Sequence, residues 1–228
     1  MGEKIRYEKH EVAFLTLQEI EQFLEAVSPE FYAFCATAIF CGARQGELIA
    51  LRWQNVDLEK GLIRIRESYN EKYGVRKPKT KASNRDIRIS PRLVQILDEH
   101  RSQTYVSEDR LVFYNKTGGF IDPHNLLNRQ FYPAIQRSGI KKKLRFHDLR
   151  HSYCGILCSM KDPSLPLKFI QRQMGHASIY TTINLYGHLL PEASEDFGDS
   201  FDSFVSSNRQ GTPQETSKVR KLRRSRDG

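Results

Sequence analysis

The chain has 228 residues, 39% hydrophobic and 11% aromatic, which is enough for one domain with an ordinary core. Its 36 Lys and Arg against 27 Asp and Glu leave a formal charge of +9, which favours a polyanionic partner, nucleic acid first and an anionic membrane second. No apolar run reaches the length of a bilayer span and residues 1–10 lack the apolar stretch of a secretory signal, so a soluble, cytoplasmic chain is expected.

Residues 1–12 are charged and read as a lead-in. Thr16-Leu17-Gln18-Glu19 is a capping box that starts a helix with Leu17, Ile20, Phe23 and Leu24 on one face. A second apolar helix follows Ser28-Pro29 and ends at Gly42. Ala43 to Leu51 reads as a third, with Arg44 at its start and Glu47 within a turn. After a turn at Glu59-Lys60-Gly61, Leu62 to Glu67 alternates as a strand, and Asp86 to Ile89 alternates as another. Residues 71–92 are the most basic internal stretch: Tyr73-Gly74 reads as the end of a strand, and between it and the strand from Asp86 a hairpin loop is expected, carrying Lys77, Lys79 and Lys81. Pro91 opens a helix with Leu93, Ile96 and Leu97 as its stripe, and Leu111 to Tyr114 reads as a short strand. Pro123 starts a helix with Leu126, Leu127, Phe131 and Ile135 inward, stopping at Ser138-Gly139.

From Arg145 to His188 the pattern changes. His147, Arg150 and His151 fall at i, i+3 and i+4, so one helical face carries hydrogen-bonding groups where a core stripe would be apolar. Leu149, Tyr153, Ile156, Leu157 and Met160 supply the core side. Gly175-His176 closes the next helix, Leu167 to Met174, and Tyr186 follows ten residues after His176. Arginine offers a rigid fork for a phosphate, histidine donates, accepts or moves a proton near neutral pH, and a tyrosine hydroxyl can act as a covalent nucleophile. Arg44 is the candidate second cation of the clamp; read by itself, the Arg44 and Glu47 pair is equally an exposed ion pair at a helix start. Lys141, Lys142 and Lys143 abut the site stretch and are either a solvated face or a phosphate contact.

Cys35, Cys41, Cys154 and Cys158 sit in apolar surroundings and read as reduced core thiols, without the spacing of a metal site. Tyr180 and Tyr186, six residues apart, point about 120° apart on one helix, so only one can face the clamp. Tyr153 reads as structural, and His151 either as packing or a buried hydrogen bond or as a further member of the site. Past Tyr186, Phe197, Phe201, Phe204 and Val205 recur at helical spacing, and residues 206–228 form a polar tail with a basic end, expected to be disordered.

Arg44, His147-x-x-Arg150, Gly175-His176 and Tyr186 together resemble the active-site set of the tyrosine recombinases, the phage integrase family, in that family's order. The resemblance spans residues 13–191. It implies a mostly helical α+β catalytic domain with a small antiparallel sheet, followed by an amphipathic segment (192–205) and the basic tail (206–228). By the resemblance Tyr186 is the nucleophile that forms a 3′-phosphotyrosyl link, Arg44 and Arg150 the phosphate clamp, and His147 the proton acceptor. His176 is a second phosphate contact, Lys79 the general acid with Lys81 as runner-up, and Glu47 the carboxylate that orients the site. Lys77, Lys81 and Lys141 to Lys143 are expected on DNA. The implied activity is site-specific recombination of double-stranded DNA, with no metal or cofactor, in a tetramer on DNA, with residues 197–205 docking on a neighbouring copy or folding back in cis. With only a short lead-in before residue 13, the family's N-terminal core-binding domain is expected to be absent. The alternatives are a remnant that binds DNA without recombining, and a topoisomerase-like enzyme.

Overall fold

Thr16 starts helix α1 (Leu17–Ala26) through a reciprocal cap in which its hydroxyl accepts from the Glu19 N–H at 3.2 Å and the Glu19 carboxylate accepts from the Thr16 N–H at 2.8 Å. The computed structural model describes residues 13–78, 80, 82–106, 110–160 and 165–190. Ile20, Phe23 and Leu24 are buried as the periodicity predicts, whereas Leu17, at the first helical position, stays 67% exposed. Helix α2 (Pro29–Cys41) is apolar on nearly every side and accordingly lies in the interior, packed against α1, α4 (Pro91–Thr104) and α7 (Phe146–Ser159). It stops at Gly42, whose φ of 61° is left-handed and whose missing Cβ would lie 2.3 Å from the Tyr153 ring.

Helix α3 (Gln45–Ile49) is shorter than its pattern implied, and the chain runs from it into β1 (Val56–Asp57). Strand β1 pairs antiparallel with β2 (Leu62–Ile65), and β2 with β5 (Arg85–Arg88), giving a three-stranded sheet in the order β1-β2-β5. A separate antiparallel pair joins β3 (Ser68–Asn70) to β4 (Gly74–Arg76). This corrects the expected hairpin. The lysine-bearing residues after β4 connect strands of two different sheets, because β4 already pairs with β3 and β5 pairs with β2. Lys79 and Lys81 themselves lie outside the described residues.

The residues expected as a strand at 111–114 make only an isolated bridge, Arg52 with Leu111, though Leu111, Val112 and Phe113 are buried. The helix begun at Pro123 is interrupted. After α5 (Pro123–Leu126) the turn widens to a π-helix over Leu127–Phe131 before α6 (Tyr132–Ser138). Pro133 accounts for this, since it donates no N–H and its ring crowds the carbonyl four residues back.

Residues from α1 to Leu149 share one large apolar core, while α7, α8 (Leu167–Met174) and α9 (Ile179–Tyr186) hold a small second cluster of Tyr153, Cys154, Cys158, Ile170, Met174 and Tyr186. Arg150 lies on α7 between Leu149 of the first cluster and Tyr153 of the second. Among the described residues no helix is long and apolar enough to cross a membrane. Residues 192–228, with their amphipathic segment and tail, lie outside the described residues.

Candidate active site

Arg44 is the N-cap residue of α3, and its extended backbone lets the carboxylate of Glu47 fold back onto it. Glu47 accepts from the Arg44 N–H at 2.9 Å and from the Arg44 guanidinium at 2.8 Å. A second arginine, Arg85 on β5, meets the same carboxylate with two nitrogens at 3.1 and 2.9 Å. Glu47 and Arg85 are both buried, and burial alone would raise the carboxyl pKa. The hydrogen bonds and charge of Arg85, joined by those of Arg44, outweigh burial and hold Glu47 below the usual carboxylate range. Arg85 also donates from Nε to the Gln173 carbonyl on α8 at 2.8 Å, so it ties α3, β5 and α8 together.

Sequence reading missed Arg85, although a signal exists. In Arg85-Asp86-Ile87-Arg88 the arginine shares the inward phase of Ile87, and the strand alternates buried and exposed from Arg85 onward. An inward arginine requires a buried anion, and Glu47 is that anion.

Arg150 is buried, and its two terminal nitrogens donate to the carbonyls of Gly42 and Met174, the C-terminal ends of α2 and α8. Burial, with the positive charges of Arg44 and Arg85, pushes its pKa down to about 9. Gly175 closes α8 with φ 64°, and a Cβ there would stand 2.8 Å from both the Ala82 carbonyl and the Arg85 side chain. Only glycine lets the next residue, His176, stand this close to the arginines. His176 Nδ1 is hydrogen-bonded to the Thr182 hydroxyl at 2.9 Å. Desolvation, then Arg150, Arg44 and Arg85, push His176 down to about 4.

On α7, His147 lies exposed at the mouth, its ring edge-on to that of His151 with centroids 5.0 Å apart. Crowding in the site, then His151, Arg150 and Arg44, push it down to about 4. Tyr186 is 1% exposed, with its hydroxyl hydrogen-bonded to His151 Nδ1. Its pKa is raised, chiefly by burial and by neighbouring Cys154, against an opposing pull from Arg150.

Six of the predicted residues, Arg44, Glu47, His147, Arg150, His176 and Tyr186, therefore converge from α3, α7, α9 and the end of α8. The histidine that meets the Tyr186 hydroxyl is His151, and His147 is its neighbour. Lys77 is exposed just after β4. Of the three consecutive lysines, Lys142 is engaged with the Glu19 carboxylate at 2.6 Å and the Phe14 carbonyl at 3.1 Å. Lys141 and Lys143 are exposed. All four cysteines are buried with free thiols. Beside the site a cleft of about 510 Å³ opens between β5 and α8, edged by Arg66, Lys168, Arg172 and His176.

Burial, joined by the positive charge of Arg150 and Arg44, keeps both His147 and His176 neutral at pH 7. The unfolded chain binds protons at these histidines near the ordinary value of 6.5, while the folded chain binds them only near 4. Between those pH values the unfolded state holds more protons, so the stability they contribute is complete above pH 6.5 and is lost as pH falls towards 4. The thermal midpoint is expected to fall over that window, and to fall less steeply in His176→Gln. An unchanged slope in that variant would count against the assignment.

The phage integrase family profile matches residues 13–193. A tyrosine recombinase XerC-like protein of Caldanaerobacter subterraneus is 30% identical over 220 residues, covering 84% of this chain and 55% of that protein. The ICEBs1 integrase of Bacillus subtilis is 25% identical and covers 86% of this chain and 56% of that one. The chain thus spans about half the length of the curated relatives it matches. Among solved structures, the Tn1549 transposon integrase in complex with a circular intermediate DNA has a TM-score of 0.68 at 18% identity, covering 88% of this chain and 68% of that chain, a likeness of fold. With the family profile matched from residue 13 to residue 193, across every element that carries the arginines, the histidines and Tyr186, this chain belongs to the phage integrase family.

Proposed function

We propose that this chain cuts and rejoins DNA strands through Tyr186, as the chemical step of site-specific recombination on double-stranded DNA. The observation that carries the reading is electrostatic. Arg44, Arg85 and Arg150 converge on a site whose buried carboxylate, Glu47, is already saturated by hydrogen bonds, so positive charge is left over. A phosphodiester is the anion that answers it, and a tyrosine hydroxyl stands beside Arg150.

In this reading Arg44 and Arg150 hold the non-bridging oxygens, whose charge grows in the transition state, and His176 contacts the same group. The Tyr186 oxygen bonds to phosphorus as the bond to the 5′ oxygen breaks, leaving a 3′-phosphotyrosyl link and a free 5′ hydroxyl. The leaving oxygen needs a proton, and Lys79, or Lys81 two residues on, is the proposed donor. His147 is the proposed acceptor of the Tyr186 proton, beside His151, which is hydrogen-bonded to that hydroxyl. Lys77, Lys81 and Lys141 to Lys143 would hold the flanking backbone without reading its sequence. Two duplexes each cut on both strands require four nucleophiles, hence a tetramer in synapsis.

The test is a nicked duplex from a candidate junction that traps the cut strand, with the adduct mapped by peptide mass. DNA attached through a 3′ phosphate to the peptide containing Tyr186 is the expected result. Attachment at Tyr180, or retardation of the duplex with no adduct, would overturn it.

A further inference from the structure

His176 is assigned above to the phosphate, but one of its ring nitrogens, Nδ1, is already bonded to the Thr182 hydroxyl at 2.9 Å. We infer that Thr182 is a positioning residue for the cleavage step, its buried hydroxyl locking the His176 ring in the tautomer that carries the proton on Nε2, the nitrogen left for the phosphate. The inference rests on the reading that this site binds and cleaves a phosphodiester.

The backbone of His176 is fixed from α8, but its ring is not. The His176 N–H donates to the Gln171 carbonyl at 3.2 Å, and the His176 carbonyl accepts from the Gln171 side-chain amide at 3.0 Å. The ring has the Thr182 hydroxyl as its one hydrogen-bond partner among the described residues. Thr182 lies on α9 one turn before Tyr186 and is 0% exposed, so its hydroxyl has no water to turn to. Buried helical hydroxyls ordinarily donate to the carbonyl four residues back. Thr37 does so to Ala33 at 2.6 Å and Ser152 to Asp148 at 2.8 Å. Thr182 departs from that habit and bonds the imidazole instead.

A buried hydroxyl needs an acceptor for its hydrogen, and a ring nitrogen is an acceptor only while it carries no proton. Nδ1 therefore holds the lone pair and Nε2 the proton. The opposite tautomer would donate from Nδ1 to the threonine oxygen and strand the hydroxyl hydrogen without a partner. The charge state is set separately: burial, with Arg150, Arg44 and Arg85, keeps the ring neutral. A neutral imidazole has a single N–H, so which nitrogen carries it decides whether His176 can give a hydrogen bond to a phosphate oxygen. The same bond ties His176, at the end of α8, to the helix that carries Tyr186. Nucleophile and phosphate contact are thus set by one helix.

The experiment combines nitrogen NMR of the imidazoles with single-turnover formation of the Tyr186 adduct on the nicked duplex, both near neutral pH on the full chain. In the wild type His176 is expected to carry its proton on Nε2, and a proton on Nδ1 would overturn the inference. Thr182→Val removes the hydroxyl at nearly constant volume and should let both tautomers coexist. Adduct formation should then slow by about 10-fold, less than the roughly 100-fold that follows outright loss of a preorganised donor, with duplex affinity within a few-fold of wild type. Thr182→Ser keeps the hydroxyl and should keep both the tautomer and nearly the wild-type rate. In a His176→Gln background Thr182→Val should slow the reaction no further, because the two residues act as one unit. A full additional loss in that background, or Thr182→Ser as slow as Thr182→Val, would overturn the inference and assign Thr182 to packing alone. Should Thr182→Val fail to fold, the wild-type tautomer and the Thr182→Ser rate still decide. A wild-type chain with the proton on Nε2 that forms no adduct would overturn the strand-cleavage reading, and this role of Thr182 with it.

Discussion

Changing Tyr186 to Phe is expected to abolish the covalent protein–DNA band completely while leaving the retarded, non-covalent band within a few-fold of wild type. The oxygen is the only atom lost, and no other tyrosine stands where it stands. Tyr180 on the same helix is 69% exposed and points about 120° away, six residues back. Tyr153 is buried against Gly42, with its hydroxyl pushed above the ordinary range by burial and by Cys41. The ring of Tyr186 packs among Cys154, Cys158, Ile170 and Met174, and phenylalanine keeps that packing. The hydrogen bonds to His151 and to the Cys154 thiol are given up, at about 1 kcal/mol of stability, so the variant should unfold at nearly the wild-type urea concentration. A band persisting in Tyr186→Phe and disappearing in Tyr180→Phe would move the nucleophile to the exposed tyrosine.

The second large effect is on stability. Arg85→Met removes a buried guanidinium from a buried carboxylate and is expected to destabilise the chain by about 3–5 kcal/mol, because Glu47 keeps only Arg44 as a partner. The double variant Arg85→Met with Glu47→Met should recover most of that loss, since two apolar chains of similar length cost no charge desolvation. Cleavage should not recover with it. Arg85 holds the Gln173 carbonyl, two residues before the Gly175-His176 turn, and Glu47 holds Arg44, so both arms of the site lose their anchor. Urea unfolding at pH 7 measures the first, and the trapped-adduct rate the second. Glu47 is held below its ordinary value of 4.5, so its contribution is complete above that pH and is lost as pH falls through the lower folded value. The wild-type chain should therefore lose stability below pH 4.5 more steeply than the double variant. Equal stability of single and double variants would show that the ion pair is not what Arg85 contributes.

Much of this was legible in one dimension. The Thr16 capping box, the stop at Gly42, the stripe of Leu93, Ile96 and Leu97, and the closure of α8 at Gly175 all came from patterns within a turn or two, where backbone sterics and local hydrogen bonds decide. The order of Arg44, His147, Arg150, His176 and Tyr186 likewise named the residues that converge. Pairing was not legible. Strand β5 could not be assigned to β2 rather than β4 from its own alternation, because a strand's period states which face is buried and not which neighbour supplies the hydrogen bonds. The buried partners are just as distant: Arg85 meets Glu47 across 38 residues, His151 meets Tyr186 across 35, and Arg150 reaches the Gly42 carbonyl across 108. The sequence by itself determined most of the helices, the caps at Thr16, Gly42 and Gly175, and most of the residues that gather at the site. Which histidine holds the tyrosine hydroxyl and which arginine neutralises Glu47 were decided by tertiary packing, because a buried charge or hydroxyl is satisfied by whatever the fold brings within about 3 Å of it, however far away in the chain.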